Sequence, residues 1–221
     1  MAYQLNPVRE ISLLAAGLGL IALAVYVDRN DTQPIRVDNL INPHAGSRNP
    51  LDRFAFRKPD PAAAALADAG LYGGPTMPLL LSLHPRTRHQ YPTLLLIWLE
   101  TMLLNFAITS LIKNTVSRPR PYVLNPDFDP ERALNRNERA AFLSGHASNA
   151  AAGSLMFARF VSAYSKHPSV TNFAYLIAGL LPGFTAYLRV KAAKHWPTDA
   201  LAGVLLGSTV GCLVPMLHRT K

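Results

Sequence analysis

Polar and apolar residues segregate into long blocks along this chain. Six apolar runs, 11–27, 62–83, 93–112, 147–164, 175–188 and 200–217, contain only three ionisable Lys, Arg, Asp or Glu side chains between them: Asp68, Glu100 and Arg159. Hydrocarbon excludes charge and forces a spanning backbone to satisfy its own hydrogen bonds, so such runs read as helices within a bilayer and the charged segments as aqueous loops. The pattern predicts an all-α polytopic bundle of about six transmembrane helices, built as one domain over residues 1–221. Residues 28–61 form an extramembrane loop. The run 11–27, at 17 residues, is at the short end for a span. A cleaved secretory signal is its alternative, because Ala22-Leu23-Ala24 resembles a cleavage site, but Glu10 cancels Arg9 in the leading region and further spans follow. The run 62–83 is interrupted by Asp68, Gly73, Gly74, Pro75 and Pro78. It fits either an irregular span packed against protein or a segment at the membrane surface. No internal repeat is present.

Six spans put both termini on one side and the loops 113–146 and 189–199 together on the other. Composition then adds a formal net charge of +9. The basic residues cluster at the edges of apolar runs rather than along one helix face, which argues against a nucleic-acid partner and suits anionic headgroups or an anionic substrate. Arg86, Arg88, Arg159, Lys166, Arg219 and Lys221 mark the terminal side, yet the long loops opposite carry more cations, so charge alone does not orient the chain. Cys212 is the only cysteine, which excludes an intrachain disulfide or a cysteine metal cluster.

Three clusters in the two facing loops carry chemistry. Lys113 and Arg120, at the end of the third run, fit cations anchoring a helix end at the headgroups. They equally fit two donors aimed at one phosphoryl group, Arg with a planar fork and Lys with a mobile point charge. Ser144-Gly145-His146 opens the fourth helix. Ser144 is a natural N-cap, free N–H groups at a helix start bind anions, Gly145 permits close approach, and His146 could protonate a departing alkoxide. Arg189, His195 and Asp199 surround Trp196-Pro197. Proline favours the first helical position, so the last helix should begin at Pro197 with Asp199 in its first turn. From there Asp199 could reach back as in a capping box and accept from one ring nitrogen of His195. A plain capping aspartate beside an interfacial histidine is the other reading.

Together the clusters resemble the signature of the type-2 phosphatidic acid phosphatase family, which shares its site with the vanadium haloperoxidases: K-x6-R-P, then P-S-G-H, then S-R-x5-H-x3-D. Here the positions are Lys113 with Arg120-Pro121, then Leu143-Ser144-Gly145-His146, then Leu188-Arg189 with His195 and Asp199. Order and internal spacing agree over roughly 93–217. Leu143 stands where the family has proline, and Leu188 where it has serine.

The resemblance implies a membrane phosphatase for a lipid phosphate such as a phosphatidate, phosphatidylglycerophosphate, phosphorylated lipid A or polyprenyl diphosphate, working without metal or cofactor. His195 would be the nucleophile and become a phosphohistidine, Asp199 its orienting carboxylate, and His146 the acid for the leaving oxygen. Lys113, Arg120, Arg189, Ser144 and the Gly145 N–H would bind the phosphoryl oxygens. Bacterial relatives imply an inner-membrane protein with its site toward the periplasm. Halide oxidation with vanadate, or lipid-phosphate binding without turnover, are the competing activities. His44, His84, His89, His167 and His218 lack ligand spacing and read as solvated. Glu100, an acid inside a span, calls for a partner that the sequence does not name.

Overall fold

Proline marks where most of the helices begin. Its missing N–H costs nothing in a first helical turn and its fixed φ suits that position. In the computed structural model, which describes residues 2–30, 49–55, 58–125, 128, 129, 132 and 135–220, prolines open α1 (Pro7–Arg29), α2 (Pro61–Thr76), α3 (Tyr91–Thr115), α5 (Pro168–Lys191) and α6 (Pro197–Leu217). The exception is α4 (Gly145–Tyr164), capped by Ser144. Caps complete two of the proline starts. Asn6 Oδ1 accepts from Val8 N at 3.0 Å, and Asp60 Oδ1 accepts from Ala63 N at 3.0 Å.

The predicted all-α bundle is therefore present, one helix for each apolar run. Four of the helical segments are long and apolar enough to cross a bilayer: Pro7–Arg29, Arg88–Thr115, Pro168–Lys191 and Pro197–Leu217. The other two depart for different reasons. α2 has 16 residues, about 24 Å of helix against a hydrocarbon core of about 30 Å, and continues as a 3₁₀ segment, Met77–Leu83. α4 has the length but is less apolar, because its neighbours are protein. It packs against α2, α3, α5 and α6, and buries small residues such as Ala147, Ser148, Ala150, Ala151 and Gly153. Large apolar side chains instead point outward: Val8 and Ile11 on α1, Phe173 and Leu180 on α5, Leu201 and Leu205 on α6 are all more than half exposed. Small residues inside and large ones outside are the arrangement expected of helices solvated by lipid.

The close approach of α6 to α4 depends on Gly203, Gly207 and Gly211. A Cβ at Gly207 would lie 2.0 Å from Ser148 O, and one at Gly203 2.4 Å from Ser144 O. Because the obstructing atoms are backbone, rotamer changes cannot relieve the overlap. Gly207→Val is expected to cost about 3 kcal/mol or more by overpacking, read as thermal unfolding in detergent. Gly179→Ala, where a Cβ meets nothing within 4 Å, should leave the melting temperature nearly unchanged.

Both termini lie at the same end of the bundle. Tyr3 and Arg219 form an antiparallel bridge, Gln4 N donates to His218 O at 2.9 Å, and Thr220 N donates to Ala2 O at 3.2 Å. His84, His89 and His167 are exposed as expected, but His218 is fully buried. Sequence reading placed it in the solvated tail. The last helix instead carries it under the N-terminal segment, where its Nε2 lies 3.0 Å from Glu100 Oε2. His44 lies outside the described residues.

Candidate active site

Each chemical cluster sits at a helix end, and antiparallel packing brings those ends together. Lys113 closes α3, Ser144-Gly145-His146 opens α4, Arg189 closes α5, and His195 and Asp199 flank the start of α6. Backbone hydrogen bonds interlock the loops that carry them. Arg118 N donates to Arg139 O at 2.7 Å, Tyr122 N to Ala193 O at 3.2 Å, and Ser144 N to Asp199 O at 3.0 Å.

The cations are held by carbonyl oxygens of the neighbouring loops. Lys113 Nζ donates to Ala140 O at 2.9 Å. Arg120 donates through Nε to Asn137 O at 2.7 Å and through Nη1 to Lys194 O at 3.1 Å. Each side chain thus spends part of its donor set on positioning and retains N–H groups for an anion. Arg189 is buried at 7 % exposure, and its Nε has no hydrogen-bond partner among the described residues. A buried unpaired guanidinium N–H is costly in isolation. An incoming phosphoryl oxygen would satisfy it.

His195 is 2 % exposed, and Nδ1 lies 2.7 Å from Ala141 O. A carbonyl can only accept, so Nδ1 carries the proton and Nε2 is the lone-pair nitrogen of the neutral ring. Burial, and after it the charges of Lys113, Arg120 and Arg189, hold its pKa well below the ordinary 6.5. Those three cations therefore act on one buried, neutral imidazole.

Asp199 does not play the part assigned to it from sequence. It completes the capping box, Oδ2 accepting from Trp196 N at 2.9 Å, but it stands 4.0 Å from His195 Nδ1, beyond hydrogen-bond reach. The carbonyl of Ala141 takes the ring proton instead, because the chain entering α4 runs beside the histidine. Asp199 pairs with Arg118, which also bridges to Asp52 Oδ2 at 2.7 Å, donates to Thr198 Oγ1 at 2.8 Å and lies over the Trp196 ring at 5.2 Å. Asp52 Oδ1 accepts from Thr198 N at 3.0 Å. Arg118 and Asp52 thereby fix the turn that presents His195. Sequence reading passed over both, since Arg118 looked like one more cation and Asp52 lay in a polar loop.

Ser144 caps α4, its Oγ accepting from Ala147 N at 3.4 Å. A Cβ at Gly145 would meet only ordinary contacts, 3.5 Å to Thr109 Cγ2 and 3.7 Å to Lys113 Cε. Packing alone therefore does not require glycine there. His146 Nε2 lies 2.9 Å from Asp68 Oδ1. Asp68, which seemed only to interrupt an apolar run, is the partner of the second histidine. Of the two departures from the family pattern, Leu188 packs with Ala63, Ala67 and Ala192, so a residue there faces α2. Leu143 is buried.

Comparison with curated proteins and with solved structures gave no match. The sequence model of the PAP2 superfamily matches residues 94–221, more than half of the chain and all three clusters. The chain belongs to the PAP2 superfamily.

Proposed function

We propose that this membrane protein is a lipid phosphatase that transfers phosphoryl to His195 and then to water, without a metal. The observation that carries the reading is the buried imidazole of His195, held through Nδ1 by Ala141 O at the same end of the bundle as Lys113, Arg120 and Arg189, in a chain of this superfamily.

Nε2 of His195 attacks phosphorus in line as the bond to the lipid oxygen breaks, giving a phosphohistidine. Charge spreads over the three equatorial oxygens, where the three cations, the Ser144 hydroxyl and the Gly145 N–H would hold it. His146 gives its proton to the departing alkoxide. It then takes one from the water that attacks phosphorus and releases phosphate. Asp199 acts through the fold of the turn, with Arg118 and Asp52, rather than on the imidazole itself. The substrates that fit a site at a helix-bundle end are lipid headgroup phosphates and polyprenyl diphosphates. The orientation of bacterial relatives, with this end toward the periplasm, belongs to the same proposal.

Phosphate release from phosphatidate, phosphatidylglycerophosphate, polyprenyl diphosphate and phosphorylated lipid A, on purified protein in detergent, tests the reading. Turnover of at least one is expected. Tight binding without release across the panel would make the protein a lipid-phosphate binder and overturn the proposal. Halide oxidation on adding vanadate would assign the site to the other activity known for this constellation.

Asp68 supplies a finer test. It fixes the His146 ring and keeps a proton on Nε2, leaving Nδ1 for the leaving oxygen. Asp68→Asn should lower kcat about tenfold on an alkyl phosphate, and His146→Ala by about 10²–10⁴. An aryl phosphate, whose leaving group needs no proton, should be much less affected by either change. Equal losses on both substrates would remove His146 from the acid role.

A further inference from the structure

Some 20 Å along α3 from Lys113, at about 1.5 Å per residue, a second polar cluster lies at the terminal end of the bundle, far from the phosphoryl site. Glu10 of α1, Glu100 of α3 and His218 just beyond α6 are 6 %, 0 % and 0 % exposed. One ligand atom from each lies within 4.8 Å of the other two. His218 Nδ1 is 2.8 Å from Val214 O. Since that carbonyl only accepts, Nδ1 bears the proton and Nε2 is turned to the carboxylates, 3.0 Å from Glu100 Oε2 and 3.3 Å from Glu10 Oε1. A neutral ring here would set a nitrogen lone pair against two carboxylate oxygens. Either a proton, on the ring or on a carboxyl group, or a cation must lie among them.

A proton, on Nε2 or on a carboxyl oxygen, is one answer, but the contacts are poorly aligned for the hydrogen bond it would make. Nε2 and both oxygens of Glu100 are buried without a hydrogen-bond partner among the described residues, despite the short separations. An N–H must point nearly straight at its acceptor. Metal bonds carry no such demand: with bonds of about 2.0–2.2 Å, ligand atoms at right or tetrahedral angles to one another lie about 3–3.5 Å apart. The two separations from His218 Nε2 fall in that range. Glu10 is itself held in place, Oε1 accepting from Asn6 N at 3.0 Å and Arg9 Nη2 at 2.8 Å.

We propose that Glu10, Glu100 and His218 form a structural site for a divalent transition-metal ion of the zinc class, clamping α1, α3 and the end of α6 together at the face opposite the phosphoryl site. One imidazole and two carboxylates suit zinc, and the imidazole disfavours magnesium, which prefers oxygen donors. The site takes no part in the phosphatase reaction. It is independent of that reading, and either can fail alone.

The test uses the full-length protein in detergent with any affinity tag removed. It combines metal content after dialysis against zinc, the visible absorption of a cobalt-substituted sample, and thermal unfolding with zinc, magnesium or a chelator. About one tightly held zinc per chain is expected, with a cobalt spectrum of bound imidazole and carboxylate. The melting temperature should rise with zinc, not with magnesium, and fall with chelator, while phosphate release well below that temperature is unchanged. Glu100→Gln and His218→Gln should each weaken zinc affinity about a hundredfold. Retention of the same zinc by both variants would overturn the proposal. So would wild-type protein that binds no zinc and melts alike with zinc and chelator, leaving a proton as the occupant; this wild-type arm decides the matter even if the variants do not fold.

Discussion

His195→Ala is expected to lower kcat for phosphate release by at least about 10⁴-fold, the loss typical of deleting a covalent nucleophile, while the bundle still folds. The same substitution leaves Ala141 O without its donor, which costs about 1–3 kcal/mol. Thermal unfolding should therefore show a lower melting temperature but an intact cooperative transition. The environment of the ring also fixes the pH behaviour. Burial and three cations hold the His195 pKa well below 6.5, so the nucleophile stays neutral through the physiological range and its acid limb in kcat/KM lies well below pH 6.5. Between the folded and unfolded pKa values the unfolded chain binds a proton that the folded chain refuses. This group's contribution to stability is thus fully present above pH 6.5 and declines as pH falls through the folded value. An acid limb at or above pH 6.5 assigned to His195 would contradict the neutral, buried ring.

The second large effect is expected at Arg189. Its Nε has no hydrogen-bond partner among the described residues, which leaves that donor for the anion under the proposed function. Arg189→Ala should lower kcat/KM about 10²–10³-fold, the scale for removing one preorganised donor to a transition-state oxyanion. Arg189→Lys should recover only part of that, because an ammonium restores the charge but not the planar fork. Competitive inhibition by vanadate, which imitates the transferring group, should weaken in parallel. An Arg189→Ala variant with wild-type kcat/KM would show that the buried guanidinium does not face the phosphoryl group.

The sequence made the helix starts and the chemical clusters legible for the same reason. Proline and serine at helix N-termini fix local geometry within a few residues, and the clusters sit at those termini. What remained hidden depends on contacts between distant segments. Ala140 and Ala141 orient Lys113 and His195 through carbonyl oxygens, and a backbone carbonyl leaves no signature in residue type. Asp199 was read correctly as a first-turn cap and wrongly as the partner of His195, because spacing along the chain does not reveal that another loop has reached the imidazole first. Asp52, Asp68 and Arg118 gained their roles only when 49–55, α2 and the turn after α3 met at one end of the bundle. His218 looked like a tail residue because burial by the N-terminal segment joins positions 3 and 219, a pairing without a local pattern. The low apolarity of α4 has a similar origin, since a helix enclosed by protein needs small residues more than hydrophobic ones.

The most direct measurement is rapid acid-free quenching of the enzyme with a lipid phosphate labelled on its phosphorus, followed by mapping of the labelled residue. An acid-labile, alkali-stable phosphoryl group on His195 is predicted, formed in the presence of a metal chelator, discharged by water, and absent from His195→Ala. Label on another residue, or turnover that survives loss of His195 and requires a divalent metal, would contradict it.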